Sequence, residues 1–250
     1  MIRILLSGCG GRMGREVAKL CAASDCFKVV CGVDPAMPDC AFPVYPDFSS
    51  VKEESDVIID FSFHTAVVSL LEYATAKKIP SVIATTAFTP DETELIRKAA
   101  ESIPVFRSAN MSIGVNLICE LAKKAAKFLP DFDIEIVERH HNQKVDAPSG
   151  TALMIADEIS SVLPDKMEYV YDRHGVTKKR AKNEIGIHAI RGGTIVGDHE
   201  VIFAGPQEVV TISHSSYSRE ILANGAICAA RFLADKKPGY YTMKDMLDEA

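Results

Sequence analysis

The first fourteen residues, Met1 to Gly14, read M-I-R-I-L-L-S-G-C-G-G-R-M-G. Ile2 to Leu6 is a short apolar run, the pattern of a strand buried on both faces of a parallel sheet. Gly8, Gly11 and Gly14 follow at G-x-x-G-x-x-G spacing, with an extra Gly at position 10. Val17, Leu20 and Cys21 then recur at helical spacing. A strand that breaks into glycines and reopens as a helix aims the N–H groups of the helix start at the space above the turn, where a pyrophosphate can be held. Lys28 to Val33 reads as the next strand. Asp34 ends it, about 20 residues after Gly14, where a carboxylate can accept hydrogen bonds from an adenosine ribose. The glycines alone are a weak sign; strand, glycines, helix, strand and acid in that order are a specific one.

The alternation continues outward. Asp34 to Asp47 is a loop with Pro35, Pro38, Pro43 and Pro46. Asp56 to Phe61 reads as a strand, Thr65 to Ala76 as a helix, Ser81 to Ala84 as a strand, Pro90 to Ala100 as a helix and Pro104 to Arg107 as a strand. Such alternation implies a parallel sheet with right-handed crossovers. After Asn110 the pattern changes. Leu117 to Phe128 is an amphipathic helix, Phe132 to Val137 alternates like a half-exposed strand, and a helix runs from about Thr151 to Val162. Ile185 to Ile190, Thr194 to Phe203 and Glu208 to His214 read as an antiparallel meander, and Arg219 to Ala234 as a helix of small residues. The fold class is therefore α/β. A doubly wound, Rossmann-type parallel sheet forms a dinucleotide-binding domain, and a smaller α+β domain with a mixed, largely antiparallel sheet follows it; periodicity does not say which of the two the last helix joins.

Composition narrows the function classes. The 250 residues are 47% hydrophobic and 25% charged, with net charge −6, which is ordinary for a soluble globular chain. No positive field exists to hold nucleic acid, and Lys178, Lys179, Arg180 and Lys182 read as a solvated loop or hairpin. No apolar run approaches the roughly 18 residues of a membrane helix. The seven Cys form no C-x-x-C, and reduced thiols in the cytoplasm are the simple reading.

Glu138 to Ala152, E-R-H-H-N-Q-K-V-D-A-P-S-G-T-A, carries the chemistry. Paired histidines and a lysine precede a Pro-Ser-Gly turn and a helix start, so the segment can bind an anion and supply a proton. No metal is expected, because adjacent His140 and His141 diverge and lack a partner at metal-site spacing. Ser149 lacks a G-x-S-x-G elbow and reads as turn and cap chemistry. His188, His199 and His214 lie in strand-like runs and read as packed or surface residues.

The segment resembles the E-x-H-H-x-x-K-x-D-x-P-S-G-T-A pattern of dihydrodipicolinate reductases at every specified position. The resemblance extends to G-x-x-G-R-M-G-R at 8–15, Asp60-Phe61, Thr85-Thr86, N-M-S-I-G-V-N at 110–116, Arg191-Gly192-Gly193 and Gly197-Asp198-His199. It departs at His64, where the family pattern has Pro, and at Ala84 and Ala87, where it has Gly. It implies reduction of 4-hydroxy-tetrahydrodipicolinate, or its dehydrated form, to tetrahydrodipicolinate in the lysine and diaminopimelate pathway. It implies His140 as general acid, Lys144 as a further catalytic residue that holds a carboxylate, and substrate contacts at His141, Gly150 and Thr151. It implies that the C-terminal segment returns to the nucleotide domain, so that the dinucleotide-binding domain spans 1–111 and 219–250 and a substrate-binding and oligomerisation domain spans 112–218; Arg219 matches a position of the hinge region.

For the cofactor it implies contacts at Gly8, Gly11, Arg12, Met13, Gly14, Asp34, Phe61, Ala84, Thr85, Thr86, Ser108, Asn110 and Met111. Asp34 would repel a 2′-phosphate, while Arg12 could reach one, so NADH and/or NADPH are expected, with NADH favoured. Catalysis would require the two domains to close. The expected partners are a small dicarboxylate and further copies of the chain. The family associates as tetramers through its second domain, and Ile195, Val201, Ile202 and Phe203 supply apolar surface for that. Two competing readings remain. An aspartate dehydrogenase-like enzyme would share the first hundred residues but not the His-His-x-x-Lys loop; a dinucleotide-sensing regulator would bind NAD(P)H without turnover.

Overall fold

Ile4, Leu5 and Leu6 have no solvent exposure, as expected of a strand covered on both faces. They lie in β1 (Ile2–Ser7), which runs into α1 (Arg12–Ala22) and β2 (Phe27–Val33). The proline-rich loop adds β3 (Val44–Tyr45), two residues that no periodicity could announce. Then come β4 (Val57–Asp60), α2 (Val67–Lys77), β5 (Ser81–Ile83), α3 (Pro90–Ala99) and β6 (Pro104–Arg107). The helix expected from Thr65 begins with a 3-10 turn at His64–Ala66. Pro90 opens α3 under a Thr89–Glu92 capping box.

The chain continues through α4 (Ile113–Phe128), β7 (Asp133–His140), α5 (Gly150–Ser160), β8 (Glu168–Val170), β9 (Glu184–Arg191), β10 (Gly197–Ala204) and β11 (Val209–Ser216). It ends with α6 (Glu220–Leu233), β12 (Gly239–Tyr241) and α7 (Met243–Asp248). The computed structural model describes residues 1–249. They form two units, Met1–Ile113 with the chain from Glu220 onward, and Gly114–Arg219.

In the first unit the sheet order is β12-β6-β5-β4-β1-β2-β3, and every pairing is parallel. Alternate residues divide between two cores. Ile4, Leu6 and Ile59 pack with Val17 of α1 and with Ala223, Ala226, Ala229, Ala230 and Leu233 of α6. Leu5, Ile58 and Val105 pack with Leu70 and Ala74 of α2 and Ile96 of α3.

In the second unit the sheet order is β11-β10-β7-β9-β8. β11–β10 and β10–β7 are antiparallel; β7–β9 and β9–β8 are parallel. This corrects the meander. Only β10 and β11 form a hairpin, and β7 lies between β9 and β10, so β9 has its long pairing with a strand well before it in the chain. Val201 and Phe203 point into the core with Ile136, Ile155 and Ile187, under α4 and α5, so of the apolar residues expected to drive association these two are buried within the unit. In the basic cluster Lys178, Lys179 and Lys182 are exposed, as expected of a solvated loop, and Arg180 alone is drawn in against the sheet. Arg180 bonds Glu135, Asp133 and the carbonyls of Ile134 and Glu184, while Arg173 bridges Glu135 and Glu184.

Candidate active site

The first unit builds its candidate site from backbone. Gly8 has φ +75°, and a Cβ there would lie 2.6 Å from the Phe61 carbonyl oxygen. A Cβ on Gly14 would collide with the Gly8 carbonyl and lie 2.7 Å from Cys9 Cα. Both positions therefore require glycine, and the turn delivers the chain to Gly11, the N-cap of α1, without a capping side chain. The exposed Arg12 stands at the first helical position. Asp34 accepts from the N–H of Gly10 at 2.9 Å and of Ala36 at 3.0 Å, so it braces the glycine turn.

A cavity of about 480 Å³ is lined by Arg12, Met13, Phe61, Ser62, Ala84, Thr85, Thr86, Ala109, Asn110, Met111 and Leu222. It brings together candidates from the ends of β4, β5 and β6 with the start of α1. Asp60 is buried behind the lining residues Ser62 and Thr85; burial pushes its carboxyl up, against hydrogen bonds from Ser62, Thr85 and Ser7. Ser62 Oγ donates to it at 2.5 Å. Ser108 acts at one remove: its Oγ donates to the Asn110 carbonyl at 2.7 Å. The open helix start with a cation beside it suits a pyrophosphate, and the apolar faces of Met13, Phe61 and Leu222 suit a ring. A dinucleotide fits these residues. His64, by contrast, bonds Glu92 at 2.8 Å and belongs to the cap of α3.

The second unit builds its candidate site from charge. Glu138 and His140 sit two apart on β7 and so share its inner face. Glu138 has no solvent exposure. Its Oε2 accepts from His140 Nδ1 at 2.6 Å and Arg191 Nη1 at 2.7 Å. Its Oε1 accepts from Arg191 Nη2 at 2.7 Å and the Ser149 N–H at 2.9 Å. Burial alone would push this carboxyl up; Arg191, His140 and Ser149 together hold it below the usual carboxylate range. Arg191 also donates to the Asp146 carbonyl at 2.6 Å. Lys144, mostly buried, pairs with the exposed Asp146 at 2.8 Å. The Lys144 N–H donates to the His141 carbonyl, closing the turn that carries both residues.

Ser149 caps α5 by accepting from Ala152 N–H at 3.2 Å, and its Oγ lies 3.0 Å from His199 Nε2. Gly150 is exposed, with open space where a Cβ would stand, and Thr151 follows it at the helix start. The His140 and His199 rings meet edge to face, with centroids 5.3 Å apart. Burial, and then the nearby His140, push His199 down to about 4, so it is neutral at ordinary pH. Arg219, exposed, is the last residue of this unit. Among the described residues no group of three or more His, Cys, Asp or Glu is placed to hold a metal ion.

Two family profiles cover this chain: "Dihydrodipicolinate reductase, N-terminus" matches residues 2–111, and "Dihydrodipicolinate reductase, C-terminus" matches 114–247. The chain belongs to the dihydrodipicolinate reductase family. A 4-hydroxy-tetrahydrodipicolinate reductase from Caldanaerobacter subterraneus subsp. tengcongensis is 58% identical over 247 residues, covering 99% of this chain and 98% of that protein. One from Clostridium tetani is 50% identical over 250 residues, with the same coverage. A dipicolinate-bound dihydrodipicolinate reductase from Paenisporosarcina sp. TG-14 superposes with a TM-score of 0.85 at 26% identity, covering 98% of this chain and 99% of that one. A member of this family is an NAD(P)H-dependent oxidoreductase, and the two competing readings fall away with the full-length match.

Sequence reasoning alone leaves Glu138, Arg191 and His199 without a role in the site, and gives Ser149 only its cap. Glu138 is legible in principle: spacing of two from His140 on a strand puts both on one face. Arg191 is not, because its place opposite His140 depends on the β7–β9 pairing.

Proposed function

We propose that this chain catalyses NAD(P)H-dependent reduction of 4-hydroxy-tetrahydrodipicolinate, or its dehydrated form, to tetrahydrodipicolinate in lysine and diaminopimelate biosynthesis. The observation that carries this reading is the His140–Lys144 turn beside the capped start of α5, in a chain matched along its whole length by the family. Bound at the glycine turn and the cavity beside it, a reduced nicotinamide supplies the hydride. Lys144 binds one substrate carboxylate as a point charge, exchanging Asp146 for it. The N–H groups at Gly150 and Thr151, with the dipole of α5, hold the other, and His141, on the turn that carries Lys144, adds a further contact. His140 Nε2 gives its proton to the enamine left after the ring has lost water and gained hydride.

Asp34 supports a preference for NADH, because its charge opposes a 2′-phosphate; Arg12 keeps NADPH usable. The chain works in the cytoplasm, consistent with seven free thiols and with no helix among the described residues long and apolar enough to cross a membrane. It assembles as a homotetramer through its second unit. Support comes from β11, an eight-residue strand at the edge of its sheet with one side unpaired among the described residues.

The test is a coupled assay with enzymatically made substrate, following NADH absorbance. Turnover that needs both the substrate and NADH or NADPH is expected; cofactor binding without turnover would refute the reading. Light scattering at micromolar concentration should give about four times the 27.2 kDa chain mass, and a monomer mass would refute the assembly.

A further inference from the structure

Glu138 is a carboxylate in the core of a polar cluster, with both oxygens fully used: two donors on Oε1 and two on Oε2. Its charge is balanced by the bidentate Arg191, which makes a buried ion tolerable. One of its four donors is His140. An ionised carboxylate can only accept, so Nδ1 of His140 must carry a proton, and Nε2 is left as the atom that exchanges one. Nε2 faces the start of β10, where a Cβ on Gly197 would stand 3.0 Å from it. Glycine there leaves room for the ring, since a side chain at that position would press on the nitrogen.

We propose that Glu138, neutralised by Arg191, is the positioning residue of the reaction: it fixes the His140 ring and its Nδ1–H tautomer, so that Nε2–H is the proton donor. This rests on His140 being the acid. In the step itself the Nε2–H bond breaks and the proton goes to the substrate enamine carbon. Nδ1–H stays on the ring, bonded to Glu138, and solvent later restores the Nε2 proton; the histidine is neither oxidised nor reduced. Without Glu138 the ring could rotate or carry its single proton on Nε2 in the neutral form, and the donor geometry would be populated only part of the time.

The full chain with NADH and substrate tests this. His140→Ala is measured alongside; wild-type kcat in that variant would remove the acid itself, a failure distinct from any result at Glu138. With His140→Ala slow, Glu138→Gln is expected to lower kcat about 10²-fold, while KM and the affinity for dipicolinate change by less than about threefold. Proton NMR of the wild type is expected to show a far-downfield Nδ1–H resonance that is absent in both variants. Because the amide strands a buried guanidinium, Glu138→Gln/Arg191→Met is made as well, and it should fold and show the same loss of kcat. Wild-type kcat in either Glu138 variant overturns the proposal. So does a fall in dipicolinate affinity that parallels the loss of kcat, which would make Glu138 a support of the loop only. Absence of the resonance in the wild type overturns it whatever the variants do.

Discussion

The glycine turn after β1 and the polar cluster at the end of β7 each lead into a helix start, and they shape it by opposite means. At α1 the side chains have been removed: Gly8 and Gly14 are pressed against backbone, and the N-cap Gly11 contributes no side chain. At α5 the side chains have been multiplied: Ser149 caps the helix, Glu138 receives its N–H, and Arg191, His140, Lys144 and Asp146 form linked ion pairs around it. The first turn takes its shape from steric exclusion, which salt and pH do not touch, with the Asp34 carboxylate as a brace on the Gly10 N–H. The second is fixed by charge, which both can weaken.

The sharpest break between the two comes from the reacting groups. His140→Ala should lower kcat by roughly 10²–10⁴ with little change in NADH affinity. Lys144→Ala should instead raise KM and lower kcat/KM, and its deficit should shrink as salt is added. Steady-state kinetics at two ionic strengths separate them, and nearly wild-type turnover in both would sink the site. Gly14→Ala should act on the other side only. Overpacking against backbone is worth about 1–3 kcal/mol, or roughly 5- to 150-fold in NADH affinity, and should not depend on salt, while dipicolinate binding stays unchanged.

Acid should find the second unit first. His199 is buried beside His140, Glu138, His214 and Lys144, and is held down to about 4. The unfolded chain takes up this proton near pH 6.5 and the folded one only near 4, so stability is lost as pH falls between those values, by up to about 3 kcal/mol. Glu138 adds a second loss: its depressed carboxyl stabilises the fold above the unfolded value of about 4.3, and that contribution disappears as pH falls through the folded value. Urea titrations from pH 7 to 4 should show the first slope, flattened in His199→Asn; an unaltered slope would place the effect elsewhere.

Two smaller changes refine the first unit. Asp34→Asn keeps an oxygen for the Gly10 N–H but removes the charge, so the NADPH to NADH ratio of kcat/KM should rise about tenfold while the turn survives. Ala87 has φ +62°, a region that disfavours a Cβ. Ala87→Gly should therefore be neutral or stabilising by up to about 1 kcal/mol in thermal denaturation, and a clear loss would show that its methyl group packs.

The same contrast explains what the sequence makes legible. The signal of the glycine turn is local: strand, turn, helix and Asp34 lie within one stretch, and Gly14 is demanded by backbone a few residues away, although the close approach at Gly8 comes from Phe61 after β4. The candidates at the ends of β4, β5 and β6 are readable because a parallel sheet puts those ends on one edge. The cluster around Glu138 is not local. Arg191 lies 53 residues from Glu138 and reaches it only because β7 inserts beside β9. Turn residues favour a hairpin between consecutive strands, and the expected meander comes from them; nothing local reports that an earlier strand will intervene. Ala87 is visible as a departure from the family pattern, but its positive φ is not.

The first unit is also closed by its last residues. α6 supplies Ala223, Ala226, Ala229, Ala230 and Leu233 to the core that contains Ile4 and Val17, and β12 pairs along β6. A chain emerging from the ribosome therefore presents β1 to β6 with one face partly bare and one edge open, and must make all of Gly114–Arg219 before the cover arrives. The inserted unit owns its complete core and can condense during that wait. The segment made first thus has its core completed last, and its apolar face is the one a nascent-chain chaperone would meet.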